Sequence, residues 1–312
     1  MTDLDRAVAG GLAPATSVFF GGGTPSLLQA DSLIAILDRI PRMTDAEVTV
    51  ECNPDTVSRE LVARYRRGGV NRLSFGVQSM APHVLTALGR THDPANVATA
   101  VREARDAGFE SFNLDLIYGG VGESLDDWRR TLADALALEP PHVSAYALTV
   151  EPGTPLADTP ERHPDDDDQA DKYIVADRAL SSAGLDAYEI SNWARPGFEC
   201  RHNLLYWSQG SYLGVGCAAH SHRQGSRWWN VRTPERYIEA IAAGRSPEAG
   251  SETLDAETRR LERLQLALRT RDGVPEDALP DDLDDLVERE GGRVTLTLRG
   301  RLLANEVALR LS

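Results

Sequence analysis

The chain has 312 residues, 41% of them hydrophobic, and a formal net charge of −15. That length and apolar content allow a sizeable core and exclude a disordered chain, and the charge excludes nucleic acid as a partner, because phosphates would be repelled. No apolar run is long enough to span a bilayer, no secretion leader opens the chain, and only three scattered cysteines occur, which argues against a disulfide framework and for a reducing cytoplasm.

Short β-rich runs are predicted at residues 17–20, 48–51, 72–77, 111–117, 142–148 and 187–190. Segments with helical periodicity lie between them, at 26–40, 58–67, 97–107, 125–138 and 169–183. Repeated βα units imply parallel strands with crossover helices, so an α/β barrel or part of one is expected, with a doubly wound open sheet as the alternative. The acidic run Asp165 to Asp168 reads as a helix start, where negative charge suits the helix dipole. From Glu199 to Arg232 the βα rhythm stops, and aromatics and histidines crowd together. Gly244 to Ser251 reads as a linker. After it, a helix at 256–269, a second at 283–290, a strand at 293–298 and a last helix from Gly300 give a small helical, winged-helix-like domain. Asp281, Asp282, Asp284 and Asp285 carry the wrong sign of charge for DNA there.

The sharpest motif is Phe19-Phe20-Gly21-Gly22-Gly23-Thr24-Pro25-Ser26, which follows one predicted strand and opens a helix. Glycines at a strand end let a backbone approach a ligand with its N–H and C=O groups exposed. Glu51 ends the next strand and Gln78 the third, Asp115 lies in the fourth, and Arg90 sits on the connection before it. Taken alone, each suits a surface position or an interior salt bridge. Together, polar residues at successive parallel strand ends can converge on one molecule, with carboxylates for ammonium or ribose groups and Arg for a carboxylate.

Gly-Gly-Gly-Thr-Pro, Glu-x-Asn-Pro, Ser-Phe-Gly-Val-Gln, Leu-Gly-Arg-Thr-His and Asp-Leu-Ile-Tyr-Gly occur in this order. The set resembles radical S-adenosylmethionine (SAM) proteins of the coproporphyrinogen dehydrogenase and HemW group, over essentially the whole chain. The resemblance implies that Gly22, Gly23 and Thr24 contact the methionyl part of SAM. It implies that Glu51, Gln78, Arg90 and Asp115 complete the site, and that Tyr146 and Ala147 lie near the adenine. It also implies a radical SAM (β/α) barrel core at 1–198, an aromatic and His-rich segment with linker at 199–250, and a C-terminal domain of this group's type at 251–312.

Such proteins begin with a strand ending in Cys-x-x-x-Cys-x-x-Cys, whose thiolates hold a [4Fe–4S] cluster. This sequence has no such run, so a partial barrel without its first strand is expected, with the motif upstream of a misassigned start. Cys52, Cys200 and Cys217 are expected to be ordinary structural cysteines, Cys52 facing away from Glu51.

Tyr188-Glu189-Ile190-Ser191-Asn192-Trp193-Ala194 and His202-Asn203-Leu204-Leu205-Tyr206-Trp207 resemble signatures of the HemW branch. That branch implies a haem chaperone using SAM and a [4Fe–4S] cluster, with a haem-accepting protein as partner and peripheral association with membrane haem enzymes open to it. The alternatives are an oxygen-independent coproporphyrinogen III dehydrogenase and a cluster-free haem-binding module. His202, His220 and His222 lie among Tyr206, Trp207, Tyr212, Trp228 and Trp229. Imidazole can ligate haem iron and aromatics can stack on a porphyrin, and the resemblance makes the region around His202 the expected haem region, although local hydrogen bonding is the better explanation of any single histidine.

Overall fold

The computed structural model describes residues 2–154, 156–283 and 285–311. Asp284, one of the acidic residues noted above, lies outside the described residues. The chain divides into two compact units, one of residues 17–35 and 46–199, the other of 1–16, 36–45 and 200–312.

In chain order the first elements are α1 (Thr2–Ala9), β1 (Ala15–Phe20), α2 (Ala30–Leu37), β2 (Arg42–Cys52), α3 (Arg59–Arg67) and β3 (Arg72–Gln78). Then come α4 (Pro82–Ala87), α5 (Pro94–Asp106), β4 (Ser111–Tyr118), α6 (Leu125–Leu136) and β5 (His142–Ala147). The barrel part closes with α7 (Asp166–Ser182), β6 (Asp186–Glu189) and β7 (Asn192–Ala194). The strands form one curled seven-stranded half-barrel sheet in the order β1-β2-β3-β4-β5-β7-β6. The chain is thus α/β.

Pairs β2–β3, β3–β4 and β4–β5 are parallel, as the βα rhythm predicts. The final pair departs from that expectation. β7 is antiparallel to both β5 and β6. Only Ile190 and Ser191 separate β6 from β7, and two residues can make a hairpin but not a crossover. Helix starts follow their caps. Ser58, Asp93 and Ser124 accept from the N–H of Leu61, Ala95 and Asp127. Asp165 accepts from Asp168 N, so the acidic run does open α7.

Two faces of the sheet differ in kind. Val48, Val50, Cys52, Leu73, Phe75, Phe112, Leu114, Leu116, Val143 and Ala145 are buried and apolar. The alternate positions are polar: Thr49 and Glu51, Arg72 and Ser74, Asn113 and Asp115, His142 and Ser144. Side chains alternate along a strand, so one face is a hydrophobic core and the other, the concave one, carries hydrogen-bonding groups.

The other unit continues with α8 (Arg201–Trp207), β8 (His220–Arg223), β9 (Ser226–Asn230), α9 (Pro234–Ala242) and β10 (Glu248–Thr253). The stretch read as a linker therefore runs into a strand, since β10 pairs with β9. The C-terminal part is α10 (Ala256–Leu268), β11 (Val274–Pro275), β12 (Val287–Glu290), β13 (Arg293–Leu296), α11 (Leu298–Leu302) and α12 (Ala304–Ala308). Its core holds Leu268, Val274, Leu279, Leu283, Val287, Val294 and Val307. The helix expected at 283–290 is replaced by β12. Gly291 and Gly292 have φ of 58° and 77° and join Glu290 to its partner Arg293, the two-residue hairpin turn that Gly-Gly favours. Among the described residues, no helix is long and apolar enough to cross a membrane.

Candidate functional site

The C-terminal ends of β1 to β5 carry most of the residues expected to bind a small molecule. After β1 the chain turns through Gly22 and Gly23, with φ of 79° and 88°, a region only glycine enters freely. Among the described residues, no heavy atom beyond the chain neighbours lies within 4 Å of where a Cβ would stand on either, so the constraint is on the backbone and the space beside it is open. Gly22 N–H donates to Glu51 Oε2 at 3.1 Å, which ties the glycine turn to the end of β2. Thr24 follows, half-buried, with no capping hydrogen bond from its side chain.

Burial pushes the Glu51 carboxyl above its usual range. The nearby Asp115 charge adds to this, and the Gly22 N–H opposes it. Asp115 stands two strands further, on β4, opposite Gly76 of β3 in register. Its Oδ2 accepts from Ser74 Oγ at 2.7 Å and its Oδ1 from Asn113 Nδ2 at 2.7 Å. Burial raises this carboxyl too, against the hydrogen bonds of Ser74, Asn113 and Ser144 and the positive charge of Arg72.

Gln78 ends β3 at φ 62°, an unfavourable conformation for a side chain of this kind. The register slips between Gly76 and Gln78. A Cβ on Gly76 would lie 3.0 Å from Gln78 Nε2, so the missing side chain leaves its place on the concave face to the glutamine amide. Ala147 ends β5 opposite Tyr118 and is half-buried. Tyr146 beside it is 41% exposed, yet its hydroxyl is enclosed and accepts from Asn192 Nδ2 at 3.4 Å. Enclosure, then the Asp115 charge, push that hydroxyl up to about 12. Arg90 follows α4, exposed, and its guanidinium makes no hydrogen bond or ion pair among the described residues. The structure thus brings Gly22, Glu51 and Asp115 into contact or mutual influence and leaves Arg90 apart from them.

Open backbone at Gly22 and Gly23, two shielded carboxylates and an unengaged guanidinium fit a zwitterionic nucleoside such as SAM. The residues present do not fit an iron–sulfur cluster. Cys52 is buried on the apolar face, its thiol pushed up to about 12 by burial and by Glu51. Cys200 is buried and Cys217 half-buried in the other unit. Among the described residues, no three His, Cys, Asp or Glu side chains gather to hold a metal ion.

His202 lies on α8, its Nε2 3.0 Å from the Tyr206 hydroxyl one turn on. The rings of Tyr206 and Tyr212 meet edge to face at 4.6 Å. His222 is buried, with Nδ1 2.8 Å from Gly210 O and Nε2 accepting from Gly225 N–H at 3.1 Å. Both of its nitrogens are therefore committed to backbone. His220, two residues before it, is exposed and stacks on Trp229 at 6.1 Å.

Sequence reasoning passed over Ser74, Asn113, His142, Ser144 and Asn192, which form a connected polar layer beneath the carboxylates. Strict polar–apolar alternation in 72–75, 112–115 and 142–145 is the signal that would have found them.

The Radical SAM superfamily profile matches residues 4–135. The haem chaperone HemW of Mycobacterium tuberculosis is 44% identical over 99% of this chain and 84% of its own length. The Escherichia coli haem chaperone HemW is 36% identical over 98% of this chain and 87% of its own. The coproporphyrinogen III oxidase HemN of Escherichia coli, a radical SAM enzyme, superposes with a TM-score of 0.80 at 22% identity, covering 94% of this chain and 77% of that one. At that identity the superposition speaks to fold alone.

Proposed function

Because this chain belongs to the HemW haem chaperone family of radical SAM proteins, we propose that it binds haem and hands it to haem-dependent proteins, with SAM bound at the mouth of the half-barrel. The observation that carries this reading is sequence identity to haem chaperones along almost the whole chain. Membership of the radical SAM superfamily implies SAM and a [4Fe–4S] cluster. SAM supplies, when bound, a carboxylate, an ammonium group and ribose hydroxyls. In this reading the Gly22, Gly23 and Thr24 backbone meets the methionyl end. Glu51 and Asp115 take the ammonium and hydroxyl groups, Gln78 adds an amide, Arg90 pairs with the carboxylate, and Ala147 borders the adenine. Cys52, Cys200 and Cys217 do not form a site for that cluster.

Haem is assigned to the aromatic segment around His202. His222 is a poor ligand because both its nitrogens are engaged, which leaves His202 and His220 as the imidazoles to test. Titration of the protein with haemin, followed at the Soret band, tests the reading. We expect saturable binding near one haem per chain, and at least about tenfold weaker binding in His202→Ala if it is the ligand. An unchanged titration in both His202→Ala and His220→Ala would move the haem site elsewhere. The oxidase reading predicts decarboxylation of coproporphyrinogen III with SAM and a reductant, and we expect none.

A further inference from the structure

Behind Asp115 runs a chain of hydrogen bonds whose direction can be read from donor chemistry alone. Register places Ser74, Asn113 and His142 side by side across β3, β4 and β5. Asn113 Nδ2 donates both its hydrogens, to Ser74 Oγ at 2.8 Å and to Asp115 Oδ1 at 2.7 Å. The reversed amide would set a carbonyl oxygen against a carboxylate and is repulsive. Asn113 Oδ1 must therefore accept, and His142 Nδ1, 2.7 Å away, must carry the proton. His142 Nε2 is then a lone pair and accepts from the Tyr188 hydroxyl at 2.8 Å. Ser74 Oγ, having accepted from Asn113, donates to Asp115 Oδ2. Every donor in the series points toward Asp115, and both of its oxygens act as acceptors.

Tyr188 reaches this layer through an irregularity. The β6–β7 register slips between Ala187 and Glu189, so Tyr188 is the extra residue of a bulge. A bulge lets two consecutive side chains serve one face. Tyr188 bonds His142 while Glu189, next in sequence, bonds Asn192. Tyr188 and His142 are both 1% exposed, so water cannot replace either partner.

We propose that Tyr188 and His142 are positioning residues, a one-way relay from β6 that favours the ionised form of the Asp115 carboxylate against its burial and fixes its orientation for its ligand. This rests on the reading of Asp115 as part of the SAM site. The charged and titratable groups facing Asp115 are Glu51 on β2, Arg72 on β3 and Tyr146 on β5, with the His142 imidazole behind Asn113. None of these supplies a direct hydrogen bond to Asp115; those come from Ser74, Asn113 and Ser144.

Two measurements on the whole chain test the relay without any ligand. Nitrogen-15 NMR of the imidazoles should show His142 as the neutral Nδ1–H tautomer from pH 5 to 8; an Nε2–H tautomer or an imidazolium would overturn the assignment. Carboxyl carbon-13 titration should place the Asp115 midpoint about one pH unit higher in Tyr188→Phe, a tenfold gain in proton affinity. Ser74→Ala, which deletes a direct donor, should move it the same way and serves if the first variant fails to fold. SAM affinity by calorimetry should then fall in Tyr188→Phe at a pH between the wild-type and variant Asp115 midpoints found by that titration, and recover toward the wild-type value above the variant's midpoint. Weakening by one factor at every pH, or an unmoved Asp115 midpoint, would reduce Tyr188 and His142 to structural residues. A wild-type chain without SAM affinity would defeat the SAM reading, and the tautomer and the titration would still decide the relay.

Discussion

Glu51 and Cys52 are neighbours in sequence and opposites in surroundings, because one step along a strand changes the face of the sheet. The carboxylate meets the glycine turn, while the thiol is sealed into the apolar core. That contrast was legible from the sequence. Glu189 was not, since alternation would have sent it to the same face as Ala187, and the bulge at Tyr188 shifts the phase. Its carboxylate is buried with hydrogen bonds from Ser191 N–H and Asn192 but, among the described residues, with no cation beside it. Burial, outweighing those hydrogen bonds, pushes it from 4.5 up to about 7. A carboxyl whose folded midpoint lies above the unfolded one favours the folded state while protonated. That contribution is complete below about pH 4.5 and is lost as pH rises through 7, and the displacement is worth about 3 kcal/mol. Urea denaturation at pH 5 and pH 8 should therefore show wild type losing about 3 kcal/mol more than Glu189→Gln, which cannot ionise. Equal losses would mean that Glu189 titrates normally. Glu51, Asp115 and Glu123 shift in the same direction but are common to both proteins.

Among the elements, the loop from β4 to α6 shows how a charged cluster can fix a segment that periodicity cannot describe. Lys172 on α7 is completely buried. Its Nζ lies 2.8 Å from Glu123 O, 3.3 Å from Glu123 Oε2 and 2.6 Å from Asp168 Oδ2. Glu123 Oε2 in turn accepts from Gly119 N–H at 2.7 Å. The lysine thus fastens the glycine-rich loop leaving β4, the strand that carries Asp115. Removing one partner of a buried pair leaves the other charge without compensation, so Lys172→Met should cost about 3–5 kcal/mol, and adding Glu123→Gln should return part of it. Chemical denaturation of the two variants checks this. A loss under about 1 kcal/mol would mean that water or Arg side chains screen the cluster. The sequence shows Glu123 and Lys172 only as two charges far apart. The hairpins at Ile190–Ser191 and Gly291–Gly292 were legible from the short loops themselves, and their neglect left β7 without a prediction and turned β12 into a helix.

At the scale of the molecule, the α/β rhythm and the strand ends were open to reading because each βα unit is local in sequence. The division of the chain was not, since residues 1–16 and 36–45 group with 200–312 through contacts that no periodicity encodes. The placement of tryptophans follows that division. Trp128 and Trp193 belong to the half-barrel unit and are fully buried, their indole N–H groups bonded to Lys172 O and Asp177. Trp207, Trp228 and Trp229 belong to the other unit and are half-buried. The protein therefore carries two sets of built-in fluorophores. Emission excited at the red edge of indole absorption should be quenched by acrylamide with two distinct constants, the weaker belonging to the half-barrel. Haemin bound near His202 should extinguish the accessible, longer-wavelength component, so the colour of the remaining light would shift to the blue as the titration proceeds. A uniform dimming without change of colour would place the haem elsewhere.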